Sequence, residues 1–323
     1  MVTSWPRDFP GLGAGAVALA ESITRASGGR IAITVHGGNE LVAPFEVFDA
    51  VAAGTAELGH SASYFWRARS EAAPFFCTVP FGLNAQEMNA WLYSGGGLSL
   101  WRELYAKSGI VPFPAGNTGV QTAGWSNREI ASLADLRGLK IRIAGLGAEV
   151  VARLGAVPVN VAGADIFEAL KAGTIDASEW LGPLNDLAFG LFRVAKYCYF
   201  PGWQEPGPTI ECLVNQRAWD GLPDDLRAIV EACCRAANDA MLAEFTVGNQ
   251  RALKVLRDEH GVEFRRLPGP VLAALRAESD VVLEAVAARD PFARRVHDAY
   301  VAFRDEVRGW HSVSEVPYYQ ASA

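Results

Sequence analysis

The sequence predicts an α/β protein of two lobes joined by a hinge, with one long helix running along both. Three observations carry this reading. Strand–helix–strand–helix order occurs in two units, about 1–120 and 124–210, and such alternation builds sheets with parallel pairs. No Pro/Ser-rich linker separates the units, so the crossings between them are short, as in a hinge. Residues 223–259 have no internal proline. A helix of about 35 residues would be about 50 Å long, more than the diameter of a small domain.

The elements follow in order. "MVTSW" reads as a strand, and "GLGAGAVALAESITRASGGR" as an Ala-rich helix stopped by Gly28 and Gly29. "IAITVHG" alternates and is β-branched, which predicts a strand. "PFEVFDAVAAGTAELGHSA" is a helix running into a short strand, and a helical stretch covers roughly 85–108. "SLADLRGLKIRIAG" opens the second unit with a loop holding Asp135 and Gly138, followed by a strand. A helix near 147–154, the strand "VPVNV", the helix "GADIFEALKAGT" and the strand "IDASEW" come next. "AKYCYFPGWQEPGPTIECLVN" contains two more strands. Pro223 and two aspartates suit the start of the long helix and Gly261 its end. A helical segment over about 268–310 closes the chain.

Composition narrows the function. The chain is 50% hydrophobic and 20% charged, which suits a globular protein with an ample core. No apolar run of about 18 residues reads as a membrane span. A net charge of -7 argues against nucleic acid and anionic membrane as partners, though not against a small anion in a local positive pocket. Five cysteines lack metal-type spacing and read as small buried residues; Cys233 and Cys234, adjacent in a helix, are a poor bridging pair. Five histidines are scattered, and GxGxxG, GxxxxGK[ST] and GxSxG are missing. No enzyme signature stands out.

"SLADLRGLKIRIAG…LGAVPVNVAGADIFEALKAGTIDASEW" resembles the solute-binding subunits of TRAP transporters, the DctP family. "MVTSWPRDFPGLG", "VPFGLNAQEMNAWL" and "YFPGWQEPGPT" look like its branch for 2-oxo and 2-hydroxy monocarboxylates. The similarity covers nearly the whole chain. It implies a two-lobed receptor, periplasmic and non-catalytic, which delivers an organic acid to a membrane permease. No basic-then-apolar leader precedes "MVTSWP", and the cysteine content is unusual for an oxidising compartment. The expected division is 1–122 with about 213–245 as lobe I, and 123–212 with about 246–282 as lobe II. Residues 283–323 form a C-terminal helix and tail.

In this branch the resemblance implies a metal ion bridging protein and substrate carboxylate. Carried to this sequence, the implied partners are Gln121, Arg142, Glu179, Trp180 and Glu205. The residues suit those roles. Arg142 in "KIRIAG" is either an exposed strand-edge cation or a guanidinium fork matching a carboxylate with two parallel bonds. Glu179 lies in a stretch that otherwise reads as buried, where a lone carboxylate is costly unless paired or metal-bound. Trp180 would give its carbonyl to the ion and its ring to the substrate's apolar side. Gln121 offers an amide oxygen, a normal ligand for a hard cation. Gln204 and Glu205 compete for the last position, and the family position favours Glu205. Oxygen-only ligands exclude a zinc-type site. Two carboxylates, one arginine and an anionic substrate reach neutrality with Ca²⁺ but not Na⁺, so Ca²⁺ is favoured; Gln204 as the ligand would favour Na⁺. Tyr64 in "SASYFWRAR", Asn117 and Asn84 are further candidates for substrate contact.

The alternatives are a receptor of the same fold for a larger or aromatic carboxylate, and a metal-dependent keto-acid enzyme. The enzyme lacks a His or Lys base beside the motif residues. Finally, Phe292, Val296, Tyr300, Phe303 and Val307 make an apolar stripe. An aromatic tail follows it. Together with the resemblance, whose members in some cases swap this helix, the stripe predicts a homodimer.

Overall fold

The structure, a computed structural model, describes residues 1–161 and 163–322. In chain order the strands are β1 (Val2–Thr3), β2 (Leu58–Ser61), β3 (Ile110–Asn117), β4 (Gly124–Ser126), β5 (Lys140–Arg142), β6 (Val157–Pro158), β7 (Ala177–Ser178), β8 (Tyr197–Phe200), β9 (Thr209–Asn215) and β10 (Glu263–Arg266). The helices are α1 (Leu12–Ala26), α2 (Val47–Ala53), α3 (Ala85–Tyr93), α4 (Gly97–Ala106), α5 (Gly147–Arg153), α6 (Ile166–Ala172), α7 (Pro183–Phe189), α8 (Gln216–Asp220), α9 (Asp224–Asp258), α10 (Gly269–Ala287), α11 (Pro291–His311) and α12 (Glu315–Ser322).

Two mixed sheets form the two lobes. One has the order β1-β2-β9-β3 and the other β10-β8-β4-β7-β5-β6. β1 runs parallel to β2, and β9 antiparallel to both β2 and β3. In the second sheet β5 is parallel to β6 and β7, and β8 to β10, while β4 is antiparallel to β7 and β8. The chain leaves the first sheet after β3 and returns to its middle as β9. Two short crossings, 118–123 and 201–208, therefore run between the lobes.

The long helix makes the third link. Along α9, Val230 and Cys234 sit in the first lobe's core with Leu19, Ile23 and Phe113. Met241 and Phe245 join a middle cluster with Trp5 and Leu12. Leu256 reaches the second lobe's core with Trp125 and Ile166. One continuous helix thus packs into the cores of both lobes and into the cluster between them.

Several elements differ from the sequence expectation. "IAITVHG" is not a sheet strand. It meets β1 only through an isolated parallel bridge between Val2 and His36, because β1 is two residues long and offers no further ladder. Conversely, "IVPFPAGN" is an eight-residue strand despite two prolines. It lies at the sheet edge, where a missing N–H faces away from the ladder, and the register shifts between Pro114 and Gly116. The 85–108 stretch divides over 94–96: Ser94 closes α3, and Gly96, with a φ of +87°, opens α4. The 268–310 segment divides at Asp290, which caps α11 by accepting the N–H of Phe292 at 2.8 Å. The apolar stripe of α11 is spent within the chain: Val296 and Tyr300 are fully buried, and Phe292, Phe303 and Val307 pack against the same core.

The first lobe buries one carboxyl without a cation. Glu211, on β9, accepts the indole N–H of Trp66 at 2.5 Å and the hydroxyl of Tyr105 at 2.9 Å. Burial pushes its pKa up to about 8, against which those two hydrogen bonds pull. The folded state therefore holds a proton that the unfolded chain releases near pH 4.5, and stability drops as pH rises from there toward 8. The expected slope is at most about 1.4 kcal/mol per pH unit. Glu211→Gln mimics the protonated acid. Thermal unfolding from pH 5 to 8 should show a shallower decline in this variant than in the wild type; equal declines would mean that Glu211 is already ionised in the fold.

Candidate ligand and metal site

The site lies where the two crossings meet the carboxyl end of β7. A Cβ on Gly202 would stand 2.2 Å from the carbonyl oxygen of Gln121, so only glycine lets the second crossing lie against the first. This close approach brings Gln121 beside Glu205. The Gln121 N–H donates to the Glu205 carbonyl at 3.3 Å, and Gln121 Nε2 donates to Glu205 Oε2 at 2.8 Å. Both side chains are buried.

From the second lobe, the pairing of β5 with β7 sets Arg142 against Glu179. The Glu179 N–H donates to the Arg142 carbonyl at 2.9 Å. Arg142 Nη1 returns bonds to the Glu179 carbonyl at 3.0 Å and to Oε2 at 2.9 Å, and the Ala144 N–H donates to the same Oε2 at 3.2 Å. Among the described residues only Nη1 of the guanidinium is engaged, which leaves the rest of the fork for an anion. The Arg142 carbon Cζ stands 5.4 Å from the centre of the Trp180 ring.

The electrostatics make this group unlike an ordinary ion pair. Burial pushes Glu205 well above the usual carboxylate range, and the charge of Glu179 pushes it further, while Arg142 and the Gln121 hydrogen bond pull it back. Glu179 is raised by burial and lowered by Arg142 and the Ala144 N–H. Two buried carboxylates thus share one arginine. Tyr64 belongs to the same group: burial raises its phenol well above 10, the charges of Glu205 and Glu179 raise it too, and Arg142 lowers it.

The amide oxygens are the second sign. Oε1 of Gln121 and Oε1 of Gln204 are buried and accept no hydrogen bond from the described residues, and the indole N–H of Trp180 is likewise unpaired. Unpaired buried polar atoms are rare and need a reason. Gln204 is otherwise anchored by Nε2, which donates to the Thr122 carbonyl at 2.7 Å. Among the described residues, no three His, Cys, Asp or Glu side chains gather at one point. A cation here would rest on Glu179, Glu205 and amide or carbonyl oxygens, a donor set that fits a hard ion.

The structure brings Gln121, Arg142, Glu179, Trp180, Glu205 and Tyr64 into one group. It places Asn117 and Asn84 differently. Asn117 donates to the Gly207 carbonyl at 3.1 Å and to Thr209 Oγ1 at 3.4 Å, and accepts the Gly119 N–H at 2.8 Å. Its polar atoms hold the crossings together. Asn84 caps α3 by accepting the Glu87 N–H at 3.0 Å, and Glu87 Oε2 accepts the Asn84 N–H at 2.8 Å; "NAQE" is a capping-box pattern.

Two residues at the site's edge, Phe9 and Asp186, escaped sequence reading. Phe9, from the loop before α1, stands edge-on to Trp180 at 6.1 Å and to Phe189 at 5.9 Å. Asp186, on α7, accepts the Trp125 indole N–H at 2.8 Å, and burial pushes its pKa up to about 8. The signal was present in "PLNDLAF", where proline at the first helical position predicts α7, but a seven-residue helix gives little periodicity.

A two-lobed α/β fold with a charged, oxygen-rich site between its sheets defines the class of periplasmic-type solute receptors. Residues 1–290 match the family described as bacterial extracellular solute-binding protein, family 7, or DctP. The chain is 41% identical over 318 residues to a monocarboxylate 2-oxoacid-binding periplasmic protein of Nostoc sp., covering 98% of this chain and 87% of that one. Among solved structures it is similar to three TRAP solute-binding proteins. That of Colwellia psychrerythraea, with bound calcium and pyruvate, has a TM-score of 0.96 at 37% identity, covering 99% of this chain and 98% of that one. That of Pseudoalteromonas atlantica, with sodium and pyruvate, has 0.94 at 39%, covering 99% and 97%. That of Bordetella bronchiseptica, a mixed-occupancy dimer with calcium and picolinate, has 0.95 at 37%, covering 100% and 96%. The chain belongs to the DctP family of TRAP solute receptors. The family is extracytoplasmic, and no helix among the described residues is long and apolar enough to cross a membrane.

Because Glu205 is buried beside Glu179, removing its charge should stabilise the ligand-free protein. Glu205→Gln is expected to raise the melting temperature at pH 8 by about 3 °C or more. An unchanged or lower value in calorimetry would mean that the carboxylate is already compensated.

Proposed function

We propose that this chain binds a small 2-oxo or 2-hydroxy monocarboxylate, pyruvate- or lactate-like, through a bridging cation and Arg142, and hands it to a TRAP membrane permease. Two buried carboxylates sharing one arginine, next to an unpaired amide oxygen, carry this reading. With the substrate's carboxylate added, the protein groups and ligand sum to two negative charges. A divalent ion neutralises them, and a water-poor site penalises what is left over. Ca²⁺ is therefore favoured, with Na⁺ the alternative. Gln121, Glu179, Glu205 and the Trp180 carbonyl would hold the ion, which would supply a fixed positive charge for the substrate's oxygens. Arg142 would take the carboxylate with the free part of its fork, while Tyr64 and the Trp180 ring would line the remaining walls.

The lobes would close as the two expected bodies, 1–122 with about 213–245 and 123–212 with about 246–282, save that the boundary at 212 moves to 208 because β9 (Thr209–Asn215) lies whole in the first sheet. The crossings at 118–123 and 201–208 would be the hinge. The chain is read as a periplasmic receptor without turnover, since no His or Lys stands among the site residues to act as a base. A planar aromatic 2-carboxylate is the second reading, supported by the picolinate in the Bordetella neighbour.

Calorimetry with pyruvate before and after exhaustive chelation tests the proposal. Binding should vanish without Ca²⁺ or Na⁺ and return on addition. It should also weaken as pH falls, because a cation must displace the proton that burial favours on Glu205; unchanged affinity in chelator would overturn the bridging ion.

Arg142→Lys replaces a fork with a point charge. A loss on the order of 1.5–3 kcal/mol is expected, and less than about tenfold in Kd would remove Arg142 from the role of carboxylate clamp.

Homodimerisation is proposed through the tail rather than the α11 stripe. Trp310, Val313, Tyr318 and Tyr319 are each more than 60% exposed, a largely aromatic set suited to an interface core. Light scattering should give a dimer for the full chain and a monomer for the triple variant Trp310→Ser, Tyr318→Ser, Tyr319→Ser. A monomeric wild type would contradict this.

A further inference from the structure

Phe81 adopts a φ of +50°, a left-handed conformation that is an outlier for a bulky residue. Such strain persists only where its surroundings over-determine it. Here the surroundings are the C-terminal helix on one side and the candidate metal loop on the other.

On the helix side, Arg308 of α11 donates through Nη2 to the Phe81 carbonyl at 2.7 Å and to the Gly82 carbonyl at 2.9 Å. Two turns earlier on the same helix, Tyr300 Oη accepts the Leu83 N–H at 2.7 Å. Arg308 is half-buried, and burial together with the nearby Arg304 and Arg276 holds its pKa below the usual guanidinium value, with the charge of Glu87 and the Tyr300 phenol pulling the other way. Arg304 is bonded to Asp305 at 3.0 Å and Arg276 to Asp280 at 3.3 Å. Among the described residues Arg308 has no carboxylate partner. A desolvated cation crowded by two others is costly, and what it gains is a grip on two backbone carbonyls.

On the loop side, the Phe81 N–H donates to the Trp203 carbonyl at 2.7 Å, and the Phe81 and Trp203 rings lie 5.9 Å apart. Gln204 and Glu205 follow directly. The other end of the same loop rests on the same turn: a Cβ at Gly207 would stand 2.6 Å from the Ala85 nitrogen. The segment 203–207, which carries Glu205 toward Gln121, is thus seated at both ends on residues 81–85.

We propose that Arg308 is a positioning residue for the site. By clamping the 81–82 carbonyls it holds Phe81 left-handed, and Phe81 in turn fixes Trp203 and the register of Gln204 and Glu205. The C-terminal helix is then part of the binding apparatus rather than a cover for the first lobe. The affinity consequence rests on the proposed ligand and ion; the backbone consequence does not.

The test compares Arg308→Gln with Arg304→Gln, which removes a cation from the same helix without touching the 81–82 turn. Amide hydrogen exchange of the ligand-free proteins reads the backbone, and calorimetry with calcium and pyruvate reads the site. Arg308→Gln should speed exchange of the Phe81 amide at least tenfold and weaken pyruvate binding about tenfold; Arg304→Gln should leave both within twofold. Phe81→Gly relieves the strain, so adding Arg308→Gln to it should cost less than a further twofold in affinity. Unchanged Phe81 exchange in folded Arg308→Gln, or full additivity with Phe81→Gly, would overturn the proposal. Should pyruvate fail to bind the wild type, the exchange comparison still decides the backbone role.

Discussion

Two buried carboxylates near a single arginine that is bonded to only one of them are the constraint on which the site depends. A paired Glu179 and Arg142 alone would be a settled ion pair; adding Glu205 puts a second acid where its ionised form is costly, so that it keeps a proton or needs a cation. Stability would favour glutamine at 205. Keeping an acid there makes sense when a cation completes the site, and a site completed only by an ion and an anion together favours closure when both are present. The architecture serves this end. Each carboxylate comes from a different structural source: Glu179 from the end of β7, and Glu205 from a crossing between lobes.

The crossings therefore do two jobs. They connect the two lobes, and they carry Gln121 and Glu205 into the site. Asn117, Gly202 and the platform at 81–85 hold them in register, and α9 packs into the cores of both lobes. Asn117 fastens the crossings through Gly207, Thr209 and Gly119, and Asn84 caps α3.

Much of this was legible in the sequence. The lobed α/β organisation follows from element order and from the proline-free stretch that becomes α9, because helix length and absence of breakers are local properties. Edge strands were not legible, because position in a sheet is a property of the whole fold. "IVPFPAGN" breaks the rule against prolines yet pairs along its length at an edge, whereas "IAITVHG" obeys every strand preference but meets a two-residue neighbour. In the site, Arg142 and Glu179 could be picked out as charges in strand-like surroundings. The choice between Gln204 and Glu205 could not, since it turns on the path of a crossing. The structure pairs Glu205 with Gln121 and ties Gln204 to Thr122, with both amide oxygens left unpaired. Asp186 and Phe9 went unread because their partners, Trp125 and Trp180, are more than 50 residues away.

In the proposed complex a cation sits between Glu179 and Glu205 and links them to a substrate carboxylate on Arg142. Anomalous diffraction from crystals grown with calcium and pyruvate tests it most directly. The account predicts one anomalous peak within coordination distance of Glu179, Glu205 and the Gln121 amide oxygen, with the pyruvate carboxylate on Arg142. A ligand bound with no peak at that position, or with its carboxylate away from Arg142, would contradict it.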